Sequence, residues 1–438
     1  MLKTPPDKST SMEVTENSNA AKPLRRARFV GIILMLSGML SGIVGLLIGG
    51  WERFAAGYLL GFTFLWILVL GGLFFVALQH VTNSMWSLVV RRLGEALAGQ
   101  TWWVAAAFIP VAGMAFYLGQ GHLPGRTPSA AQENHGAEAT EAAAGIPETP
   151  SPHAKPIGKA EAGPNRFKEI YYHFWFWLGR TAFYFLIWFA YARFFVRRSL
   201  EQDSADLPAA WQLRARMKRA SAPFMLLFAL TLSFAAIDWL MRLQGDWFST
   251  IFPVYIFAGL MVTSHAVVSL IALWLRRAGM LPLRGEHLYT MGGLLFGFSC
   301  FWAYIAFSQF LLIWYGNLPE EVDFYLLRTR GGWTEVTLLL ISLRFIIPFM
   351  VLLGRPAKSN AKILGLISVL IIAGQWLDLY WLIVPPQAAH PDLGLSLLGP
   401  TIFWVGILVL AFLRFLQKHP VQASGDPVYD HSRHLELD

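Results

Sequence analysis

Ten long apolar stretches constrain the fold of this 438-residue sequence more than any other feature. A bilayer hydrocarbon core about 30 Å thick needs about 20 apolar residues per helix, so each stretch predicts a transmembrane helix. The predicted spans are Val30–Gly50, Leu60–Val89, Trp102–Leu118, Tyr172–Phe195, Ala222–Leu243, Ile251–Leu275, Met291–Trp314, Val336–Leu353, Ile363–Val384 and Leu395–Leu416.

The composition excludes an ordinary soluble protein. Hydrophobic residues make up 55% of the chain and charged residues only 14%, against roughly a quarter charged in a soluble domain. A net charge of +8 would suggest nucleic-acid binding in a soluble protein. Here the basic residues cluster at the ends of apolar stretches, which indicates membrane topology and contact with lipids, and no nucleic-acid partner.

The distribution of basic residues predicts the orientation. Most of the 35 Lys and Arg lie on one side of the predicted spans, in clusters such as Lys22–Arg28, Arg193–Arg219 and Arg355–Lys362. Because cytoplasmic loops carry the excess of Lys and Arg, both termini are predicted to be cytoplasmic, in a multi-pass protein of the bacterial inner membrane. A polar segment of 29 residues precedes the first stretch, which predicts a retained helix and not a cleaved signal peptide.

Between Gly119 and Asn165 the chain is rich in Ala, Gly, Pro, Glu and His, which predicts a disordered periplasmic loop. Its His122, His135 and His153 lack metal-ligand spacing. The predicted division is a disordered cytoplasmic tail (1–29), helices 1 to 3 (30–118), the periplasmic loop (119–171), helices 4 and 5 (172–243), helices 6 to 9 (251–385), helix 10 (386–418) and a cytoplasmic tail (419–438).

The single cysteine, Cys300, restricts the cofactors that this chain can hold. Iron–sulfur clusters, multi-thiolate zinc sites and intrachain disulfides each need two or more sulfurs. The sequence has no CxxCH motif for a c-type haem. We therefore expect no metal or covalently attached cofactor in this chain.

Two segments indicate an internal duplication. Residues 80–94 read HVTNSMWSLVVRRLG and residues 265–279 read HAVVSLIALWLRRAG, which aligns His80 with His265 at an offset of 185. The predicted spans containing them run in the same direction. The fold predicted is an all-α integral membrane protein of ten transmembrane helices. Helices 2–5 and 6–9 form two parallel-repeat four-helix bundles, and helices 1 and 10 are peripheral.

Each predicted bundle carries an Arg and an Asp in the outer third of the membrane. Antiparallel neighbours should bring Arg180 to Asp238, and Arg344 to Asp378. Charges inside a span cost roughly 2.5–3.5 kcal/mol on insertion scales and survive by pairing in the bundle interior. One interpretation is a structural ion pair that fixes the helix register. The other is a proton route or a quinol site, since quinol oxidation releases protons to a nearby base.

Further polar residues extend the second interpretation. His80 and His265 are predicted near the middle of the membrane, where a histidine can carry protons. His265, Asp378, Arg344, Tyr304 and Ser308 are the candidate proton-pathway residues of the second bundle. In the first bundle, His80, Arg180 and Asp238 are the candidate quinone or proton site. A haem b held by the two histidines is a weaker alternative, because they belong to separate bundles.

The fifth and sixth predicted spans, FAAIDWLMRLQGDWFSTIFPVYIFAG, and the seventh with its exit, FWAYIAFSQFLLIWYGNLPEE, carry a family resemblance. The chain resembles, over roughly residues 30–420, the ActF family of membrane subunits of bacterial alternative complex III. That family is related to NrfD and to polysulfide reductase membrane subunits. In the exit, Pro319 followed by Glu320 and Glu321 predicts the start of a short helix on the outer surface.

The resemblance implies a membrane subunit of a quinol:cytochrome c oxidoreductase of the respiratory chain, with no cofactor held by this chain. It implies partners that carry iron–sulfur clusters and haem c, an ActC-like membrane subunit, menaquinone or another quinone as substrate, and a cytochrome c or terminal oxidase as acceptor. It also favours a proton-pathway role, without activity of the chain alone. The alternatives are a purely structural membrane anchor and an independent transporter.

Overall fold

The computed structural model describes residues 18–117, 170–245 and 247–435, and these ranges are helical with no strand. Eight helical stretches in them are long and apolar enough to cross a membrane. The prediction of an all-α chain with the helices of a multi-pass membrane protein is therefore confirmed. The predicted disordered loop 119–165 and most of the predicted tail 1–29 lie outside the described residues.

Fourteen α-helices are numbered in chain order within the described ranges. They are α1 (Ser18–Val81), α2 (Leu88–Ala98), α3 (Thr101–Tyr117), α4 (Phe174–Gln202), α5 (Leu207–Trp239), α6 (Phe252–Arg277), α7 (Gly285–Gly316), α8 (Pro319–Leu326), α9 (Trp333–Ile341), α10 (Ile347–Leu352), α11 (Arg355–Lys358), α12 (Ala361–Ile383), α13 (Leu395–Lys418) and α14 (Tyr429–Arg433). A 3₁₀ turn (Met241–Gln244) follows α5, and a π-helical segment (Ser342–Ile346) joins α9 to α10.

Helix α1 is a hairpin of two arms that meet at Gly50. This residue has φ 77° and ψ 173°, a backbone conformation open to glycine and strained for other residues. Gly45 in the first arm and Gly57 in the second both lie against Ser396 of α13. The two arms therefore run back along each other, and the predicted end of the first span at Gly50 matches the break.

Helices α1 and α13 pack backbone to backbone. A Cβ atom on Gly38 would lie 2.2 Å from the Phe403 backbone nitrogen, and one on Gly399 would lie 2.4 Å from the Gly42 backbone nitrogen. Small residues at such contacts allow the close helix packing that is typical of membrane proteins. The first and last long helices thus form one unit, and α13 also contacts the second arm of α1 at Gly57.

The predicted span Leu60–Val89 is wrong at its inner end. Helix α1 ends at Val81, residues 82–87 form a turn, and α2 begins at Leu88. Asn83 adopts φ 53°, and a run of Thr, Asn and Ser favours a turn over a continued helix. Only Gly99 and Gln100 then separate α2 from α3.

The two segments matched in the sequence, 80–94 and 265–279, differ in local structure. Segment 80–94 comprises a helix end, a turn and the start of α2, whereas segment 265–279 lies mostly within the continuous helix α6. Arg91 and Arg92 lie inside α2 and are buried, while Arg276 and Arg277 lie in the last turn of α6.

The outer connection between α7 and α9 contains a short helix at the predicted place. Helix α8 begins at Pro319, with Glu320 and Glu321 in its first turn, so the predicted helix start is confirmed. After α8, one continuous helical stretch runs through α9, Ser342–Ile346 and α10. Arg344 lies in its π-helical part. Single π-helical turns inside α-helices are frequent at functional sites.

Candidate functional site: two buried arginine–aspartate clusters

Arg180 near the N-terminus of α4 and Asp238 near the C-terminus of α5 form a forked ion pair. Arg180 Nη2 lies 2.8 Å from Asp238 Oδ1, and Nε lies 3.3 Å from Oδ2. Asp238 is fully buried. The predicted pairing of these two residues is confirmed, and two parallel N–H···O bonds give it the geometry of a strong, oriented pair.

The remaining hydrogen-bonding groups of this first cluster are also occupied. Tyr184 donates its hydroxyl hydrogen to Asp238 Oδ2 at 3.1 Å, and Arg180 Nη1 donates to the Tyr171 carbonyl at 2.7 Å. The guanidinium carbon lies 3.8 Å from the centre of the Tyr171 ring. A fully satisfied buried pair of this kind holds two helices in register.

Arg344, in the middle of the π-helical segment, and Asp378, in the C-terminal part of α12, form a looser pair. Arg344 Nη1 lies 3.5 Å from Asp378 Oδ2, while the same nitrogen donates to Gln375 Oε1 at 2.7 Å. Both charged side chains are buried. The predicted pairing is confirmed, but the shorter bond of Arg344 goes to the neutral amide one turn earlier on α12.

Helix α6 supplies the other side of this second cluster. Tyr255 donates its hydroxyl hydrogen to Asp378 Oδ1, and Thr263 donates to Gln375 Oε1 at 2.9 Å. The guanidinium carbon of Arg344 lies 4.6 Å from the centre of the Trp302 ring. Three helices therefore surround Arg344: α12 and α7 contact it directly, and α6 contacts its partners Asp378 and Gln375.

The Arg344 guanidinium has unused donors. Within the described ranges, neither its Nε nor its Nη2 has a hydrogen-bond partner. Two glycines allow the close approach, because a Cβ on Gly374 would lie 2.7 Å from Arg344 Cγ and one on Gly259 would lie 3.4 Å from Nη2. The second cluster thus keeps hydrogen-bonding capacity that the first cluster has used up.

His80 does not join the Arg180–Asp238 pair. It lies in the last turn of α1, and its ring stacks on Phe195, with centroids 5.6 Å apart. Phe195 follows Arg180 by 15 residues on α4, about 22 Å along the helix axis. The structure therefore does not bring His80 together with Arg180 and Asp238, and His80 lies at the C-terminal end of its helix.

His265 is buried in the middle of α6, as predicted, but in apolar surroundings. Its Nδ1 lies 2.8 Å from the Met261 carbonyl oxygen, and its ring lies between Phe75 and Phe298, with centroids at 5.3 and 4.7 Å. Nε2 has no partner among the described residues. Thr263 of the Arg344 cluster lies two residues earlier on α6, but the described hydrogen-bond contacts of His265 go to Ser264 and Met261 and not to that cluster.

Tyr304 and Ser308 lie away from the bundle interior. Tyr304 is 66% exposed on the surface of α7, and Ser308, one turn later, is half-buried. The predicted polar thread from His265 through these two residues is therefore not formed. Of the predicted site residues, the structure brings together only two pairs, Arg344 with Asp378 and Arg180 with Asp238.

The sequence interpretation missed Arg328, which is buried beside the second cluster. It donates from Nε to the Trp381 carbonyl at 3.0 Å, from Nη1 to Phe324 at 2.5 Å and from Nη2 to Leu382 at 3.1 Å. Its charge is thus stabilised by carbonyl dipoles at the C-terminal end of α12, where cations are favoured. A basic residue in a loop gives no local sign of such burial.

A second group that sequence reasoning missed lies at the inner face. Arg92 bridges Glu95 at 3.0 Å and Asp203 at 2.6 Å, and Arg91 contacts Glu95 at 3.1 Å. Ser199 donates to Glu95 at 2.8 Å. Burial raises the pKa of Asp203 to about 6, although the positive charge of Arg92 acts in the opposite direction.

The C-terminal segment 419–435 completes this inner network. Asp426 bridges Arg214 of α5 at 2.6 Å and Arg91 of α2 at 2.9 Å, and Arg214 also donates to Asn83 Oδ1 at 2.9 Å. Earlier in the same segment, Gln422 donates to the Met280 carbonyl at 2.9 Å. The predicted cytoplasmic tail is therefore packed against the helices over these residues, and it links the two halves of the chain.

Comparison with known proteins gives no relative: no protein-family model matches the chain, and no curated protein matches it. Within the described residues, no three His, Cys, Asp or Glu side chains are grouped as a metal site would require.

Proposed function

We propose that this chain is an integral membrane subunit of a bacterial quinol-oxidising respiratory complex of the alternative complex III type, in which it carries protons to the outer face. In this proposal the iron–sulfur clusters and c-type haems belong to partner subunits, and an ActC-like membrane subunit lies beside it. The substrate is menaquinol or another quinol, and the electrons pass to a cytochrome c or a terminal oxidase.

The proposed topology has ten spans, with both termini in the cytoplasm of the bacterial inner membrane. Counting the two arms of α1 separately, and adding the 29-residue helix α4, extends the eight candidate spans to ten. Helix α4 is about 43 Å long, which exceeds a hydrocarbon core of about 30 Å. The proposed two-bundle repeat is supported by one Arg–Asp pair at the outer end of each half.

The looser geometry of the Arg344–Asp378 pair is the observation that carries the proton-pathway proposal. Asp378 accepts a hydrogen bond from Tyr255, while Arg344 divides its contacts between Asp378 and Gln375. Arg344 can therefore strengthen or weaken its contact with Asp378 by a small movement without losing Gln375. The Arg180–Asp238 pair has no such freedom, because Arg180 forms hydrogen bonds to Asp238 through two nitrogens.

The proposed step transfers one proton to and from the Asp378 carboxylate. Oxidation of a quinol elsewhere in the complex releases two electrons and two protons. A proton that reaches Asp378 neutralises the carboxylate, and Arg344 then bonds Gln375 alone. Loss of the proton to the outer aqueous phase restores the ion pair. The Arg344 charge favours this release, because it stabilises the anionic carboxylate.

The experiment compares Asp378→Asn with Asp238→Asn in the assembled complex, reconstituted in proteoliposomes. We expect Asp378→Asn to lower the number of protons released per electron while haem c and partner subunits still co-purify. The control, Asp238→Asn, should reduce the yield of complex and leave the ratio of the remaining complex unchanged. An unchanged ratio in Asp378→Asn would reject the proton role. His265→Ala tests in the same assay whether the buried histidine takes part.

A structural anchor is the second candidate function, and the exposed aromatic surface of α7 favours it. This surface includes Phe307, Trp314 and Tyr315 and leads directly into α8. Deleting Asn317–Tyr325 should then prevent co-purification of partner subunits. If Asp238→Asn and Asp378→Asn both keep full activity and coupling, the anchor function is favoured over the proton pathway.

A further inference from the structure

A groove of about 710 Å³ lies at the inner ends of α3, α4 and α13, remote from both Arg–Asp clusters. Its wall on α4 runs from Phe189 to Glu201, which spans about 18 Å along the helix axis. Trp102 and Phe415 line the opposite side. The groove is therefore long, narrow and open to the surroundings of the helices.

The polarity of the groove changes along its length. Toward the middle of the membrane its lining on α4 is apolar, with Phe189 and Ala192. Toward the inner face charged side chains join the lining, and Arg193, Arg197 and Glu201 alternate there with Val196 and Leu200. A phospholipid has the same order, since its acyl chains lie inward of its phosphate.

The polar end of the groove carries excess positive charge. Arg193 and Arg197 are one turn apart on α4, which places their Cβ atoms about 5–6 Å from each other. Glu201 is bonded to Arg197 at 2.8 Å and to Arg198 at 2.6 Å. Arg193 is exposed and has no carboxylate within ion-pair distance among the described residues. One anionic group can therefore be accepted between the two arginines.

We infer that this groove binds an anionic phospholipid of the cytoplasmic leaflet, with an acyl chain along Phe189 and Ala192 and the phosphate at Arg193 and Arg197. The inference rests on the proposed membrane orientation and not on quinol oxidation. Basic pockets between helices on the cytoplasmic side are known to favour acidic headgroups. The charge at the groove selects the acidic headgroup, while the apolar end adds contacts that a free inorganic anion cannot make.

The test uses the full chain with its co-purifying subunits, washed free of lipid in mild detergent. Dioleoyl phosphatidylglycerol, cardiolipin, dioleoyl phosphatidylcholine and inorganic phosphate are titrated separately, and bound lipid is counted by native mass spectrometry. We expect the two acidic lipids to bind and to raise the unfolding temperature. Each arginine near the surface contributes about fivefold in affinity, so Arg193→Gln/Arg197→Gln should weaken acidic-lipid binding by about 25-fold.

The control variant is Arg219→Gln, an exposed arginine on α5 that does not line the groove. It should leave lipid binding unchanged. Equal binding of phosphatidylcholine, equal stabilisation by inorganic phosphate, or an equal loss in the control would overturn the inference. Unchanged acidic-lipid binding in the double variant, or a groove covered by a partner subunit in the complex, would overturn it as well. Quinol oxidation, measured in parallel, tests the proposed function separately.

Discussion

The Asp426 carboxylate lies 2.6 Å from the Arg214 guanidinium, although 212 residues separate the two in the chain. Its other oxygen contacts Arg91, and all three side chains are buried. The C-terminal segment therefore supplies the acid that neutralises two arginines of different helices. Without that acid, Arg214 of α5 would keep only the neutral Asn83 as a described partner, and Arg91 of α2 would share Glu95 with Arg92 in a poorly solvated place.

We expect Asp426→Asn to destabilise the protein strongly, because it keeps the shape of the side chain and removes its charge. Loss of one partner from a buried ion network typically costs about 3–5 kcal/mol. The measurement is the thermal unfolding midpoint of the purified protein in detergent. Asp323→Asn, at an exposed position on α8, is the control and should change little. A midpoint equal to that of the wild type would show that the C-terminal segment does not stabilise the helices.

Asp203 predicts a specific dependence of stability on pH. Burial raises its pKa from 3.8 to about 6, so the folded state binds a proton more tightly than the unfolded state. Its contribution to stability therefore increases as the pH falls through 6 toward 4, and is lost as the pH rises above 6. The comparison is the unfolding midpoint of wild type and Asp203→Asn between pH 5 and 8. We expect the variant to show a flatter pH dependence, and parallel curves would contradict the assignment.

Gly374 predicts a steric limit next to the second cluster. In Gly374→Ala the new Cβ would lie 2.7 Å from Arg344 Cγ, and overpacking of this kind costs about 1–3 kcal/mol. We expect lower thermal stability and, in the assembled complex, weaker proton coupling. Gly365→Ala on the same helix is the matched control, because its nearest neighbour would be Leu273 Cδ1 at an ordinary 3.6 Å. Equal effects of both variants would indicate that general helix packing, and not the position of Arg344, is responsible.

The sequence allowed the ion pairs to be predicted because charge inside a span requires a partner, and helices adjacent in the chain are adjacent in space. The sequence alone does not distinguish buried from exposed positions on a uniformly apolar helix. Tyr255 and Tyr304 both lie in apolar membrane helices, yet one bonds Asp378 and the other faces outward. A helix that is apolar on all sides has no periodicity from which its inner face can be determined.

Ion-pair partners that lie far apart in the chain also cannot be identified from the sequence alone. Arg91 and Arg92 have the sequence pattern of the end of a transmembrane span. In the structure Arg91 is paired with Asp426, 335 residues away, and Arg92 is paired with Asp203. The sequence predicts His80 inside a span because apolar residues resume at Leu88, although the helix itself ends at Val81. Gln375 gave a usable signal, since a polar residue one turn before Asp378 shares its helix face.

Arg328 provides the last prediction, because its charge is stabilised by backbone carbonyls of Phe324, Trp381 and Leu382 in place of a carboxylate. A lysine keeps the charge but offers a compact ammonium in place of a planar fork, so it cannot bond all three carbonyls in this geometry. Each lost bond to a charged group costs roughly 1.5–3 kcal/mol. We expect Arg328→Lys to lower the unfolding midpoint and to increase hydrogen exchange at the C-terminal turn of α12. The exposed neighbour Arg330 provides the control in Arg330→Lys, which should change neither quantity. Unchanged exchange in Arg328→Lys would mean that the carbonyl contacts do not hold the end of α12, and that the outer wall of the second cluster is fixed by packing alone.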